Sequence, residues 1–243
     1  MGSPWPHSLD SDYATGFSNL HLKQVPVLCY HNIKDDPLRE NLLTISTTHF
    51  GEQLKMLYDS GYHTILPEQL IAYLQTGKEL PAKPIMLTFD DTHEEDFSIA
   101  RPILDRYKFK AVFFIMTVCI DKHNYLTSAQ IRELSDGGHI IANHTWDHPN
   151  IKKVKGHDWV KEIDKPELKL EKITGKPVKI FAYPYGAWDD ASIAELKERH
   201  VVAAFQLSAH QSLKEPLFTI RRMMVSGEWT PPELQRQMEK TFR

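Results

Sequence analysis

Pro84-Ile-Met-Leu-Thr-Phe-Asp-Asp91 runs an apolar segment directly into two adjacent carboxylates. Ile85, Met86, Leu87 and Phe89 read as a short buried strand that opens at Pro84, and the acidic stretch Asp91-Thr-His-Glu-Glu-Asp96 ends it. Asp90 and Asp91 therefore fall at the strand's C-terminal end. In a barrel or open sheet of parallel strands, that end gathers catalytic groups. The chain turns there, so both carboxylates can enter one cavity from different angles, one to hold a cation and the other to move protons. The competing reading is structural, because Asp is favoured at helix N-caps and a helix-like segment opens near Glu94.

The same pattern recurs along the chain. Strand-like segments lie near 26–31, 62–66, 84–90, 110–116, 138–144, 178–183, 201–207 and 219–225, with helix-like segments between most of them. Such alternation marks βα units and a mainly parallel sheet. The expected helix faces are Phe50, Leu54, Leu57 and Tyr58; then Leu70, Ile71 and Leu74 after Pro67; then Ile99, Ile103 and Leu104 around Pro102. Ile131 and Leu134 precede Gly137-Gly138, while Val160, Ile163, Leu168 and Ile173 precede Gly175. Ile193 and Leu196 follow Asp189-Asp190, and a last helix starts after Pro231-Pro232. Seven or eight such units, with no Gly-x-Gly-x-x-Gly after any strand, predict a distorted (β/α) barrel of the α/β class rather than an open doubly wound sheet. Residues 25–243 are expected to form a single domain, and residues 1–24, rich in Ser, Asp, Gly and Pro, an irregular leader.

A chain of 243 residues with 41% hydrophobic content can bury a full core. Its net charge is −3 and it has no long basic run, which argues against nucleic acid as a partner. No stretch approaches the ~18 apolar residues of a membrane helix. The opening residues lack a basic-then-apolar secretory signature and are read as a remnant ahead of a truncated, mature chain. Cys29 and Cys119 sit in apolar runs and are expected to be packed thiols. The chain is expected to work as a monomer.

A second polar strand end lies at His139-Ile-Ile-Ala-Asn-His144, followed by Thr145-Trp-Asp-His148-Pro149. His144 and His148 would share one face if this loop made a single helical turn. Two imidazoles and one carboxylate can hold a cation and leave positions open for water and substrate. A polar loop without a ligand is the plainer alternative.

Thr88-Phe-Asp-Asp91, His144-Thr-Trp-Asp-His148 and Phe181-Ala-Tyr-Pro-Tyr-Gly186 resemble, in order, the first three motifs of the polysaccharide deacetylases, carbohydrate esterase family 4 with its NodB-homology domain. The resemblance spans residues 25–225. Val25-Pro-Val-Leu-Cys-Tyr-His31 resembles the opening of the branch that deacetylates poly-β-1,6-N-acetylglucosamine, in which the barrel is circularly permuted and an early Tyr-His replaces a late catalytic His. The resemblance implies a divalent metal on Asp91, His144 and His148, zinc by availability, though Co²⁺, Ni²⁺ or Fe²⁺ fits the same donors. It implies Asp90 as general base, His31 as general acid and the Tyr185 backbone N–H as oxyanion donor, acting on an acetylated polysaccharide outside the cytoplasm. An imidazolium suits protonation of a departing amine near neutral pH.

Two positions depart from the family pattern. Ala182 stands where many members carry an Arg that orients the catalytic Asp, and Arg221 or Arg222 could substitute. Thr92 replaces the usual Gly, which predicts a differently shaped loop because Thr resists backbone angles that Gly tolerates. His93 either lines the cleft or is a solvated loop residue. Trp146, Tyr183, Tyr185 and Trp188 are candidates for stacking on sugar rings. Two other functions fit the same residues: an O-acetyl esterase on a decorated glycan, or a non-catalytic glycan-binding barrel, which Ala182 and Thr92 would permit.

Overall fold

The structure is a computed structural model that describes residues 23–36, 40–207 and 209–242; most of the expected leader lies outside them. The elements run β1 (Val27–Tyr30), β2 (Asn32–Lys34), β3 (Thr44–Ser46), α1 (Thr47–Asp59), β4 (His63–Thr64), α2 (Pro67–Thr76), β5 (Pro84–Asp90), α3 (Arg101–Arg106) and β6 (Ala111–Ile115). They continue with α4 (Ser128–Asp136), β7 (Ile140–Asn143), α5 (Lys165–Thr174), β8 (Ile180–Ala182), α6 (Asp190–Glu198), β9 (Ala203–Phe205), β10 (Met223–Met224) and α7 (Pro231–Thr241). Single π-helical turns, Asp96–Ala100 and Val160–Asp164, lead into α3 and α5.

All eight expected strands form, and they pair in the order β10-β1-β5-β6-β7-β8-β9, with β4 on β5. Every ladder between these strands is parallel. The final stretch closes the ring. Gln206 N–H donates to the Ile220 carbonyl (2.9 Å), Arg222 N–H to that of Leu207 (3.1 Å) and Val225 N–H to that of Cys29 (2.9 Å), so residues 220–225 bridge β9 and β1. This is a distorted (β/α) barrel in one domain, as the alternation predicts. A short parallel pair, β2 with β3, is additional to the expected strands. Among the described residues no helix is long and apolar enough to cross a membrane.

Alternation along β5 sets the two faces of the wall. Leu87 and Phe89 pack with Leu54, Leu134 and Leu234 of α1, α4 and α7. Met86 packs with Val112, Phe114 and Ala204. Thr88 and Asp90, fully buried on the same side as Met86, are thereby committed to the barrel interior. Three residues placed on apolar helix faces point outward instead: Tyr58, Val160 and Leu168 are exposed. On α5 the buried positions are Pro166, Leu170 and Thr174, because the π-turn shifts the face that follows it.

Two glycines make the packing testable. A Cβ on Gly227 would lie 1.8 Å from the Thr44 carbonyl oxygen of β3, whereas one on Gly51, inside α1, meets only Ile103 Cδ1 at 4.0 Å. Gly227→Ala is expected to destabilise the chain by about 3 kcal/mol, since backbone must move. Gly51→Ala is expected to stabilise it by about 0.5–1 kcal/mol through the helix-propensity gain. Urea unfolding midpoints of both variants measure the two signs.

Candidate active site

β5 delivers its two terminal carboxylates to opposite fates. Asp90 is 2% exposed, and Arg222 grips it in two-pronged fashion, Nη1 to Oδ1 at 2.6 Å and Nη2 to Oδ2 at 2.8 Å. The guanidinium is itself fully buried. Its Nε–H donates to the Gln206 carbonyl (3.0 Å), Nη1 also donates to Thr88 Oγ1 (3.2 Å), and its plane lies over Phe114. Burial alone would raise the Asp90 pKa, but Arg222 and the nearby imidazoles outweigh it and hold the carboxyl well below the usual range. Of the two arginines that the sequence offers in place of one at position 182, Arg222 is the one that reaches Asp90. Arg221 faces elsewhere, toward Gln24 and the Thr241 carbonyl.

Asp91 follows with a left-handed backbone (φ 75°) and a buried Oδ1 that has no hydrogen-bond partner. Burial and the charge of Asp90 push its pKa up to about 6. His144 Nε2 lies 3.6 Å and His148 Nε2 3.7 Å from this oxygen. The three donor atoms fall within 4.8 Å of one another. His144 Nδ1–H donates to the Ala182 carbonyl (2.8 Å), which fixes the tautomer and leaves Nε2 with a free lone pair. Burial lowers the pKa of His144 to about 4 and lowers that of His148 too, so both rings are neutral at pH 7. An unpartnered carboxylate oxygen between two neutral imidazoles fits a divalent cation of the borderline-soft class.

The loop between these histidines makes no helical turn. His144 N–H donates to the Ile115 carbonyl, and the loop after it reverses through left-handed residues at Thr145 (φ 68°) and His148 (φ 63°), bringing the rings to 4.9 Å. Thr92 also adopts a left-handed backbone (φ 71°), the conformation for which a Gly would be suited, and its Oγ1 accepts the Met116 N–H at 2.7 Å. Thr92 thus holds a left-handed conformation despite its β-branched side chain, and its hydroxyl fastens the loop to the residue after β6.

The other expected site residues converge on the same mouth. His31 follows β1, and its ring, the Cys29 thiol and the Asp90 carboxylate have ligand atoms within 4.8 Å of one another. Cys29 Sγ–H donates to Asp90 Oδ2 at 3.5 Å, a contact not expected from sequence; both cysteines are buried and free. Tyr185, left-handed at φ 61°, packs its ring edge-on against His148 at 4.5 Å and is 66% exposed, so a substrate can reach it. Trp146 lies beneath the Lys161 ammonium and Trp188 donates to Gln206, while Tyr183 is fully buried core rather than a cleft wall. His93 is half-buried and stacks on Tyr125 at 5.7 Å.

The family model described as polysaccharide deacetylase matches residues 77–204. The chain is 22% identical over 280 residues to the poly-β-1,6-N-acetyl-D-glucosamine N-deacetylase of Escherichia coli, covering 97% of this chain and 39% of that one. It is 27% identical over 178 residues to the protein of the same name from Staphylococcus aureus, covering 68% and 61%. It thus spans less than two thirds of either relative. Among solved structures, the Streptococcus pyogenes deacetylase PplD in complex with acetate superposes with a TM-score of 0.81 at 25% identity, covering 91% of this chain and 99% of that one.

The Arg222–Asp90 pair yields a coupling prediction. Arg222→Met strands a buried carboxylate and is expected to cost about 3–5 kcal/mol. Adding Asp90→Asn removes that charge, so the double variant should lose clearly less than the sum of the singles, measured by a urea-unfolding cycle.

Proposed function

The chain belongs to the polysaccharide deacetylase family, and on that premise we propose that it is a metal-dependent hydrolase removing N-acetyl groups from an N-acetylglucosamine-containing polysaccharide. The observation that carries this reading is the unpartnered Asp91 oxygen set between two neutral imidazoles, beside the pinned carboxylate of Asp90. A β-1,6-linked polymer is the favoured substrate, because two relatives are named for it. Its location would be outside the cytoplasm.

Asp91, His144 and His148 would hold the ion. Zinc suits the mixed nitrogen and oxygen donors, and when bound it supplies Lewis acidity that polarises an acyl oxygen and acidifies water. Asp90 accepts the proton of the attacking water. Arg222 keeps that carboxylate ionised and fixes its two oxygens, so orientation is set before substrate arrives. The Tyr185 backbone N–H donates to the developing oxyanion. His31, next to Asp90 across the Cys29 thiol, protonates the leaving nitrogen. The exposed Tyr185 ring offers a face for a sugar.

Acetate release from β-1,6-linked N-acetylglucosamine oligomers, with and without a chelator, tests the reading. Turnover abolished by chelation and restored by zinc is expected; release from acetylated xylan but none from the oligomers would favour an O-acetyl ester substrate instead. Asp90→Asn should retain metal and lose roughly 10²–10⁴-fold in turnover, whereas His148→Ala should lose the metal. An Asp90→Asn variant working at the parent rate removes Asp90 as base.

Metal uptake should also depend on pH in a definite direction. In the metal-free chain Asp91 is largely protonated below about pH 6, so a cation must displace that proton at pH 5 and not at pH 8. Calorimetric titration in buffers of different ionisation enthalpy should record proton release at pH 5 that disappears by pH 8.

A further inference from the structure

The loop at 144–148 holds its shape against a local preference, since Thr145 and His148 are both left-handed and Thr is β-branched. The His148 N–H to Thr145 Oγ1 bond constrains it from within, and contacts outside the loop supply the rest. On one side its carbonyls are held by the segment after β6, Thr117 N–H donating to the Thr145 carbonyl (3.1 Å) and Val118 N–H to that of Trp146 (2.9 Å); on the other its amides face the π-helical turn Val160–Asp164. Glu162 in that turn is 3% exposed, and its Oε2 accepts two successive loop amides, Trp146 N–H at 3.2 Å and Asp147 N–H at 3.4 Å. Lys161 pairs with Glu162 Oε1 (2.9 Å) and Asp147 (3.4 Å) while sitting 4.1 Å over the Trp146 ring. Asn143 completes the seam, its Nδ2–H donating to the Ile163 carbonyl (3.0 Å) and its Oδ1 accepting the Thr145 N–H (2.9 Å).

We propose that Glu162 is a positioning residue for the metal site, fixing the separation of His144 and His148 by holding the two amides between them. The inference rests on the metal reading given above. Its physical basis is that Glu162 Oε2 is the acceptor of both these amides, while the other three loop amides are held elsewhere: His144 N–H uses Ile115, Thr145 N–H uses Asn143 and His148 N–H uses Thr145 Oγ1. Without Glu162 the amides of Trp146 and Asp147 seek water, the left-handed residues relax, and the two imidazoles no longer meet Asp91 at one point. Partners that orient ligands in this indirect way typically change metal affinity by about 10–100-fold.

The test is the affinity of the metal-free chain for Co²⁺, by competition with a chromophoric chelator, together with the cobalt absorption spectrum. Four proteins are compared: the parent, Glu162→Gln, Glu162→Asp and Glu162→Ala. Gln keeps an acceptor at the right reach without charge, while Asp keeps the charge and withdraws it by one methylene. Positioning predicts near-parent binding and spectrum for Gln, weakened binding for Asp, and about a 10–100-fold loss with an altered spectrum for Ala. Parent-like binding by Asp together with weak binding by Gln would mean that charge alone matters, and parent-like binding by Ala would mean that the contact is irrelevant; either overturns the proposal. Should the Ala variant fail to fold, the Gln and Asp order decides. A parent chain that takes up no cobalt would instead overturn the metal reading itself.

Discussion

Two neighbouring carboxylates at the end of one strand cannot both sit ionised and bare in a low-dielectric mouth, and the fold resolves that conflict asymmetrically. Asp90 receives a buried guanidinium and becomes a fixed anion. Asp91 receives no counter-charge at hydrogen-bonding distance, only two imidazoles at a separation a cation could bridge. Everything proposed about the chemistry descends from this division of labour. It depends on ring closure, because Arg222 belongs to the segment that joins β9 to β1. A barrel left open there would leave Asp90 uncompensated.

Backbone strain gathers at the same mouth. Asp91, Thr92, Thr145, His148 and Tyr185 are all left-handed without being glycine, and each sits just past a strand end. Conformations of that kind persist only where surrounding contacts over-determine them. Here Thr92 is bolted to Met116, Thr145 to Asn143 and His148 to Thr145, so side-chain acceptors replace the hydrogen bonds that regular structure would have supplied. The rigid barrel wall carries the reacting groups, and the capped loops set their mutual distances.

Much of this was legible in the residues. The eight strands announce themselves as short apolar runs, and Asp90, Asp91, His144 and His148 stand out at strand ends, whereas His31 and Tyr185 enter only through the family resemblance; the fold brings all six to one mouth. What stayed hidden depends on three-dimensional partners. Arg221 and Arg222 are adjacent and alike in sequence, yet only the β1–β9 closure decides which enters the barrel. The β2–β3 pair carries too short a pattern to be read as a sheet. Helical spacing places Tyr58, Val160 and Leu168 inward, and for the latter two the π-turn breaks the register that such spacing assumes. Glu162 looks like a solvated charge beside Lys161 until the loop it holds is folded against it.

The central claim is that Asp91, His144 and His148 bind one divalent ion. Anomalous diffraction at the zinc edge, on crystals grown with that metal, addresses it directly. The account predicts a single strong peak about 2.0–2.2 Å from an Asp91 oxygen and both Nε2 atoms. Zinc bound elsewhere while these three side chains stay unligated would contradict it.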